Sequence, residues 1–198
     1  MTALRLVRYG AWALVAVAAV AAAALFVAPS LWPRTDAVTI GGPFTLIDQN
    51  GATVTEAALR GRPSLIYFGF TLCPDVCPTT LFDATNWLKQ LGTDADRLRF
   101  YFVTVDPERD TREVIAEYLS AFDSRMIGLT GSRAAMDQAL RSFRIYSRKV
   151  PDEKGGYTVD HSASVYMFDA DGRFAGTIAY QEPEEEVLPK LRKLIAGS

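Results

Sequence analysis

Two cysteines stand four positions apart in the run Thr71-Leu72-Cys73-Pro74-Asp75-Val76-Cys77-Pro78-Thr79-Thr80, and the chain holds one histidine, His161. Such a set is too small for a multi-bridge disulfide scaffold or a four-ligand Cys/His zinc site. Three kinds of chemistry remain for the C-x-x-x-C pair: clasping one soft metal ion, exchanging with another disulfide, or forming an inert bridge. A bridge closing so short a loop would constrain little of the unfolded chain. The metal and exchange chemistries both need thiolate, and a helix N-terminus favours it. On a regular helix, positions i and i+4 share a face. Here each cysteine precedes a proline, which biases both toward extended backbone and makes a looped chelate the expected geometry.

The elements around these residues read as an α/β domain, because short β-branched or aromatic runs alternate with amphipathic helical patterns. Phe44 to Ile47 and Ala52 to Val54 read as strands joined by an Asp48-Gln49-Asn50-Gly51 turn. Ser64 to Phe70 is nearly all apolar, as expected of a central strand covered on both faces, and the cysteine run follows it directly. A helix carrying Leu81, Ala84, Leu88 and Leu91 comes next, with Gly92 as its stop. Leu98 to Val105 reads as another buried strand and Thr111 to Phe122 as a helix, followed by a strand at Met126 to Thr130 and a helix capped by Ser132. Val165 to Phe168 and Phe174 to Ala179 form a hairpin around Asp169-Ala170-Asp171-Gly172. The last helix begins at Pro183, with Glu184, Glu185 and Glu186 in its first turn. Arg148 to Lys154, ahead of Gly155-Gly156, reads as an exposed loop near the cysteines.

This order places the cysteines at the carboxyl end of a central strand, where open α/β sheets collect ligands. A lone histidine carries no spacing signal of its own. In a thioredoxin-like sheet, however, the loop before the late strand at Val165 faces the loop that carries the thiols. Asp160 is a weaker candidate for orienting the imidazole, since adjacent side chains on extended backbone point apart.

The chain's 198 residues are 49% hydrophobic, enough for a full core, and its net charge is −2 with no basic run to neutralise a phosphate backbone. Nucleic acid is therefore not an expected partner. Ala11 to Ala28 is free of charge and is preceded by Arg5 and Arg8. As a helix it would cover about 27 Å, close to the hydrocarbon thickness of a bilayer. Residues 1–34 are accordingly expected to be an anchor and short linker, and 35–198 the functional domain. Positive charge before the span places the N-terminus in the cytoplasm and the domain across the membrane, in the periplasm of a bacterium. Several A-x-A tripeptides leave cleavage of the segment as the alternative, which exports the domain equally.

The runs Tyr67-Phe-Gly-Phe-Thr-Leu-Cys-Pro-Asp-Val-Cys-Pro-Thr-Thr80, Val105-Asp-Pro-Glu-Arg-Asp-Thr111, Gly128-Leu-Thr-Gly-Ser132 and Val159-Asp-His-Ser162 together resemble the Sco/SenC family. The resemblance implies a membrane-anchored, thioredoxin-like copper protein of the bacterial inner membrane that supplies the binuclear copper centre of cytochrome c oxidase subunit II. It also implies that Cys73, Cys77 and His161 are the copper ligands. Leu72 stands where many relatives carry a histidine, and that histidine is not a family ligand.

Thiolates suit Cu(I), imidazole suits either copper state, and a donor set of two sulfurs and one nitrogen discriminates against magnesium and calcium. Two thiolates and a neutral imidazole sum to zero with Cu(II) and to −1 with Cu(I), so neither state buries a large charge. A Cys73–Cys77 disulfide would remove two ligands at once, which implies a periplasmic thiol reductant as well as an upstream copper donor. On this reading the protein is a metallochaperone rather than an enzyme. The rival reading is a thiol-disulfide oxidoreductase that keeps target cysteines reduced. The C-x-x-x-C spacing is one residue longer than the C-x-x-C of such enzymes.

Overall fold

The structure, a computed structural model, describes residues 2–31, 39–152 and 155–197, with side chains in the first helix described for residue 5 and residues 8–23. The chain divides into two compact units, Met1–Thr39 and Ile40–Ser198. The first holds helix α1 (Thr2–Leu31). Among the described residues no helix is long and apolar enough to cross a membrane. The expected span Ala11 to Ala28 extends past residue 23 and so lies partly outside the described side chains.

The second unit is built on a seven-stranded mixed sheet. Its strands are β1 (Thr45–Asp48), β2 (Thr53–Thr55), β3 (Ser64–Gly69), β4 (Arg99–Thr104), β5 (Met126–Thr130), β8 (Val165–Phe168) and β9 (Phe174–Ile178), in the order β2-β1-β5-β4-β3-β8-β9. β3 pairs in parallel with β4 and antiparallel with β8, and all six of its residues are buried, as the unbroken apolar run requires. Among the described residues the unit also holds four α-helices: α2 (Val76–Leu91), α3 (Arg112–Leu119), α4 (Arg133–Ser142) and α5 (Glu184–Ala196).

Local chemistry sets the helix boundaries. Gly92, at φ 57°, ends α2 in a conformation that costs other residues more. Thr111 accepts a hydrogen bond from the Val114 N–H and Ser132 one from the Ala135 N–H, capping α3 and α4. α3 stops at Leu119, short of the expected Phe122, as the chain tightens into i→i−3 bonds: the Ser120 N–H is shared between the Ala116 and Glu117 carbonyls, the Ala121 N–H donates to Tyr118 and the Phe122 N–H to Leu119. At Gly128 the sheet has no room for a Cβ, since Ile115 and Leu119 of α3 pack directly on it.

One expectation is overturned. Arg148 to Pro151 is not a loop: β6 (Ser147–Pro151) and β7 (Tyr157–His161) pair as a separate antiparallel ribbon, with Ser147 opposite His161 and Pro151 opposite Tyr157. Charge hid the strand, because its basic residues are matched across space. Arg148 meets Asp160 at 3.4 Å and Lys149 meets Glu108.

Candidate metal centre

β3 delivers the chain to the site. Its last residue, Gly69, is followed by Phe70 and the cysteine loop, and α2 begins at Val76. Cys73 lies in the turn before the helix, half-buried, and donates its N–H to the Phe70 carbonyl at 3.2 Å. Cys77 is the second residue of α2 and fully buried. Pro78 biases Cys77 toward extended geometry, yet the residue is helical. Pro78 sits in the first turn, where its missing N–H has no helical partner to lose, so the helix tolerates it. The looped geometry is confined to Cys73.

β7 brings His161 to the same place from the other side. One ligating atom from each of Cys73, Cys77 and His161 lies within 4.8 Å of the others. The His161 Nε2 is 3.5 Å from Cys77 Sγ, and Nδ1 lies 2.9 Å from the Ser162 carbonyl. A carbonyl only accepts, so Nδ1 carries the proton and Nε2 presents its lone pair to the sulfurs, the tautomer a metal ligand needs. Ser162 thereby does the orienting considered for Asp160, which points away to Arg148. Two sulfurs and one nitrogen at this spacing fit a soft ion of low coordination number.

The thiols are both reduced and electrically unequal. The Cys77 thiol and the backbone N–H of Cys77, 3.4 Å from Cys73 Sγ, stabilise a thiolate at Cys73. Cys73 is lowered to about 4. Cys77 is pushed up, first by sharing its proton with Cys73 and then by burial. One proton is thus held between two sulfurs, as in other closely coupled pairs. Alkylation of the reduced protein should therefore modify Cys73 and spare Cys77. The Cys73 rate should stay nearly flat from pH 8 to pH 6, falling only as pH approaches about 4. An ordinary thiol slows about tenfold per unit over that range. Equal labelling of both cysteines, or a Cys73 profile with a midpoint near that of a free thiol, would contradict this arrangement.

Several residues not picked out from the sequence hold the site. Asp110, fully buried, accepts hydrogen bonds from the Thr71 N–H at 3.1 Å, the Thr71 hydroxyl at 2.6 Å and the Thr104 hydroxyl at 2.6 Å. It thus ties the cysteine loop to the end of β4; burial pushes its pKa up, and the hydroxyl bonds oppose the shift. Asp110 lies inside the Val105 to Thr111 run, but nothing local marks a partner 39 residues away. Phe70 meets the His161 ring edge-on at 5.8 Å, and Tyr67 does so at 6.4 Å. Among the described residues, no partner lies within hydrogen-bond distance of the buried Tyr67 and Tyr118 hydroxyls. Burial, with the nearby cysteine charge, pushes both phenols up.

The family model described as SCO1/SenC matches residues 33–196. The chain is 43% identical over 141 residues to a SCO2-like protein of Rickettsia prowazekii, covering 70% of this chain and 69% of that one. It is 39% identical over 162 residues to the mitochondrial protein SCO2 of Saccharomyces cerevisiae, covering 80% of this chain and 54% of that protein. Among solved structures, it is similar to Bradyrhizobium japonicum ScoI with copper bound, at 46% identity and TM-score 0.74, over 78% of this chain and 99% of that one. It is also similar to yeast Sco1 with copper bound, at 37% identity and TM-score 0.75, over 81% of this chain and 90% of that one.

Proposed function

The chain belongs to the SCO1/SenC family, and from that premise we propose that it is a copper metallochaperone whose ligands are Cys73, Cys77 and His161. The observation that carries this reading is the convergence of the three ligating atoms within 4.8 Å, one from the loop after β3, one from the first turn of α2 and one from a strand 84 residues beyond it. The copper-bound relatives supply the metal's identity. Copper here is cargo. A three-ligand site leaves an open position through which an acceptor's ligand enters before the donor's leave, so transfer needs no free ion. Nε2 is already the free lone pair and Cys73 the favoured thiolate, so loading requires displacement of the one proton held between the sulfurs.

The acceptor in this reading is the binuclear copper site of cytochrome c oxidase subunit II. An upstream copper donor loads the protein. A periplasmic thiol reductant maintains the two thiols, because a Cys73–Cys77 disulfide abolishes the site. Residues 1–34 serve as anchor and linker and 35–198 as the copper-binding domain, with the N-terminus cytoplasmic and the domain in the periplasm. Trp12, Leu14, Val15, Val17 and Val20 of α1 are all exposed, and a helix apolar on every side is stable only in apolar surroundings.

Mixing the copper-loaded full chain in detergent with the reduced, metal-free copper domain of oxidase subunit II tests the delivery role. The acceptor should gain copper in proportion to the donor's loss, even with a chelator present that traps free ion. The rival thiol-reductase reading predicts instead that the metal-free reduced chain reduces an oxidised acceptor while no copper moves from the loaded form.

A further inference from the structure

His161 sits on a ribbon that belongs to neither edge of the main sheet, since β6 and β7 pair only with each other. Something other than a β-ladder must hold that ribbon against the cysteine loop. The segment after β4 does so through side chains. Asp106, with no exposed surface, pairs with the Arg109 Nε and accepts the Tyr157 hydroxyl at 2.9 Å. Arg109 Nη1 donates to the Tyr157 carbonyl at 2.9 Å, and its guanidinium lies over the Tyr157 ring at 3.9 Å. Lys149 lies over the same ring at 4.3 Å. Arg109 also reaches the Phe70 ring at 5.8 Å, and Phe70 is the ring that meets His161 edge-on.

Tyr157 and His161 stand four residues apart on β7 and so share a face, about 13 Å from one another along the strand. One segment therefore grips both halves of the site: Asp110 ties down Thr71 beside the cysteines, and Arg109 ties down the strand that carries the histidine. Asp106 is fully buried and Arg109 mostly so, and a pair in such a setting adds little stability over an apolar replacement, which makes orientation the better account of this one. We propose that Arg109, held by Asp106 and stacked on Tyr157 and Phe70, is a positioning residue that fixes the distance between His161 and the two sulfurs. The proposal rests on the three-ligand reading above. Its consequence is that Arg109 governs how fast copper leaves and does so through His161 alone.

A double-mutant cycle on the full chain tests this, with copper dissociation followed by transfer to an excess of a coloured chelator. Arg109→Gln should speed dissociation roughly tenfold, as loss of outer support does at metal sites. His161→Ala should speed it more, and the double variant should dissociate no faster than His161→Ala alone. Tyr157→Leu keeps the Arg109–Asp106 pair and the bond from Arg109 to the residue 157 carbonyl while removing the stacked ring and the hydroxyl bonded to Asp106, and should speed dissociation in the same direction, by less than Arg109→Gln. A wild-type rate in both Arg109→Gln and Tyr157→Leu would overturn the proposal. So would an Arg109 effect that persists undiminished in the His161→Ala background. If His161→Ala alone left dissociation unchanged, the three-ligand reading itself would fail, a result separable from the other two.

Discussion

Cys77→Ser is expected to lower copper affinity by on the order of a thousandfold or more, since it removes a ligand, where loss of an outer-shell partner alone costs about 10–100-fold. Serine has nearly the shape of cysteine, so the fully buried position at the start of α2 is still filled and the fold remains. Its hydroxyl does not ionise near neutral pH and is a hard donor unsuited to Cu(I). His161 Nε2, now 3.5 Å from a sulfur, would face that hydroxyl instead. The variant would keep Cys73 and His161, a pair without a third arm. Competition against a Cu(I) chelator under anaerobic conditions reads the loss. A Cys77→Ser protein that still held copper as tightly as the wild type would mean that the buried thiol is no ligand.

Gly69→Ala, which replaces no ligand, should damage both the fold and the site. A Cβ at this position would sit 2.9 Å from the Phe102 ring, 3.0 Å from Cys77 Sγ and 3.1 Å from the Tyr67 ring. All three neighbours are buried, and Gly69 is paired with Thr104 of β4, so neither the strand nor the rings can shift cheaply. The glycine is needed for space rather than for an unusual backbone angle. Overpacking of this kind costs about 1–3 kcal/mol, which should appear as a lower denaturant midpoint with an unchanged slope. Because one of the crowded atoms is the Cys77 sulfur, copper affinity should fall as well, by about 10–100-fold, the range seen when support for a ligand is lost. Preservation of both midpoint and affinity would show that the sulfur is not wedged against the strand.

The elements that place the cysteines are legible because their causes are local. The apolar run from Ser64, the Ser132 cap and the Gly92 stop each declare an element within a few residues, and each stands where expected. His161 is legible only by analogy to a fold, since one imidazole has no periodicity. The ribbon that presents it reads as a loop, because Arg148, Lys149 and a Gly-Gly pair mimic solvent-exposed chain. Their partners, Asp160 and Glu108, are 12 and 41 residues away. Asp110, Arg109 and Gly69 escape a sequence reading for the same reason. A buried carboxylate, a stacked guanidinium and a missing Cβ acquire meaning only from what the fold brings against them. The Asp169 to Gly172 turn is legible because its hydrogen bonds are local: Asp169 Oδ1 accepts the N–H groups of Asp171 and Arg173.

X-ray absorption at the copper edge of the reduced, stoichiometrically loaded full chain measures the central claim most directly. The first coordination shell should fit two sulfur scatterers and one nitrogen scatterer, with the outer-shell signature of a single imidazole. A shell of one sulfur, or one without imidazole scattering, would contradict a grip formed by Cys73, Cys77 and His161.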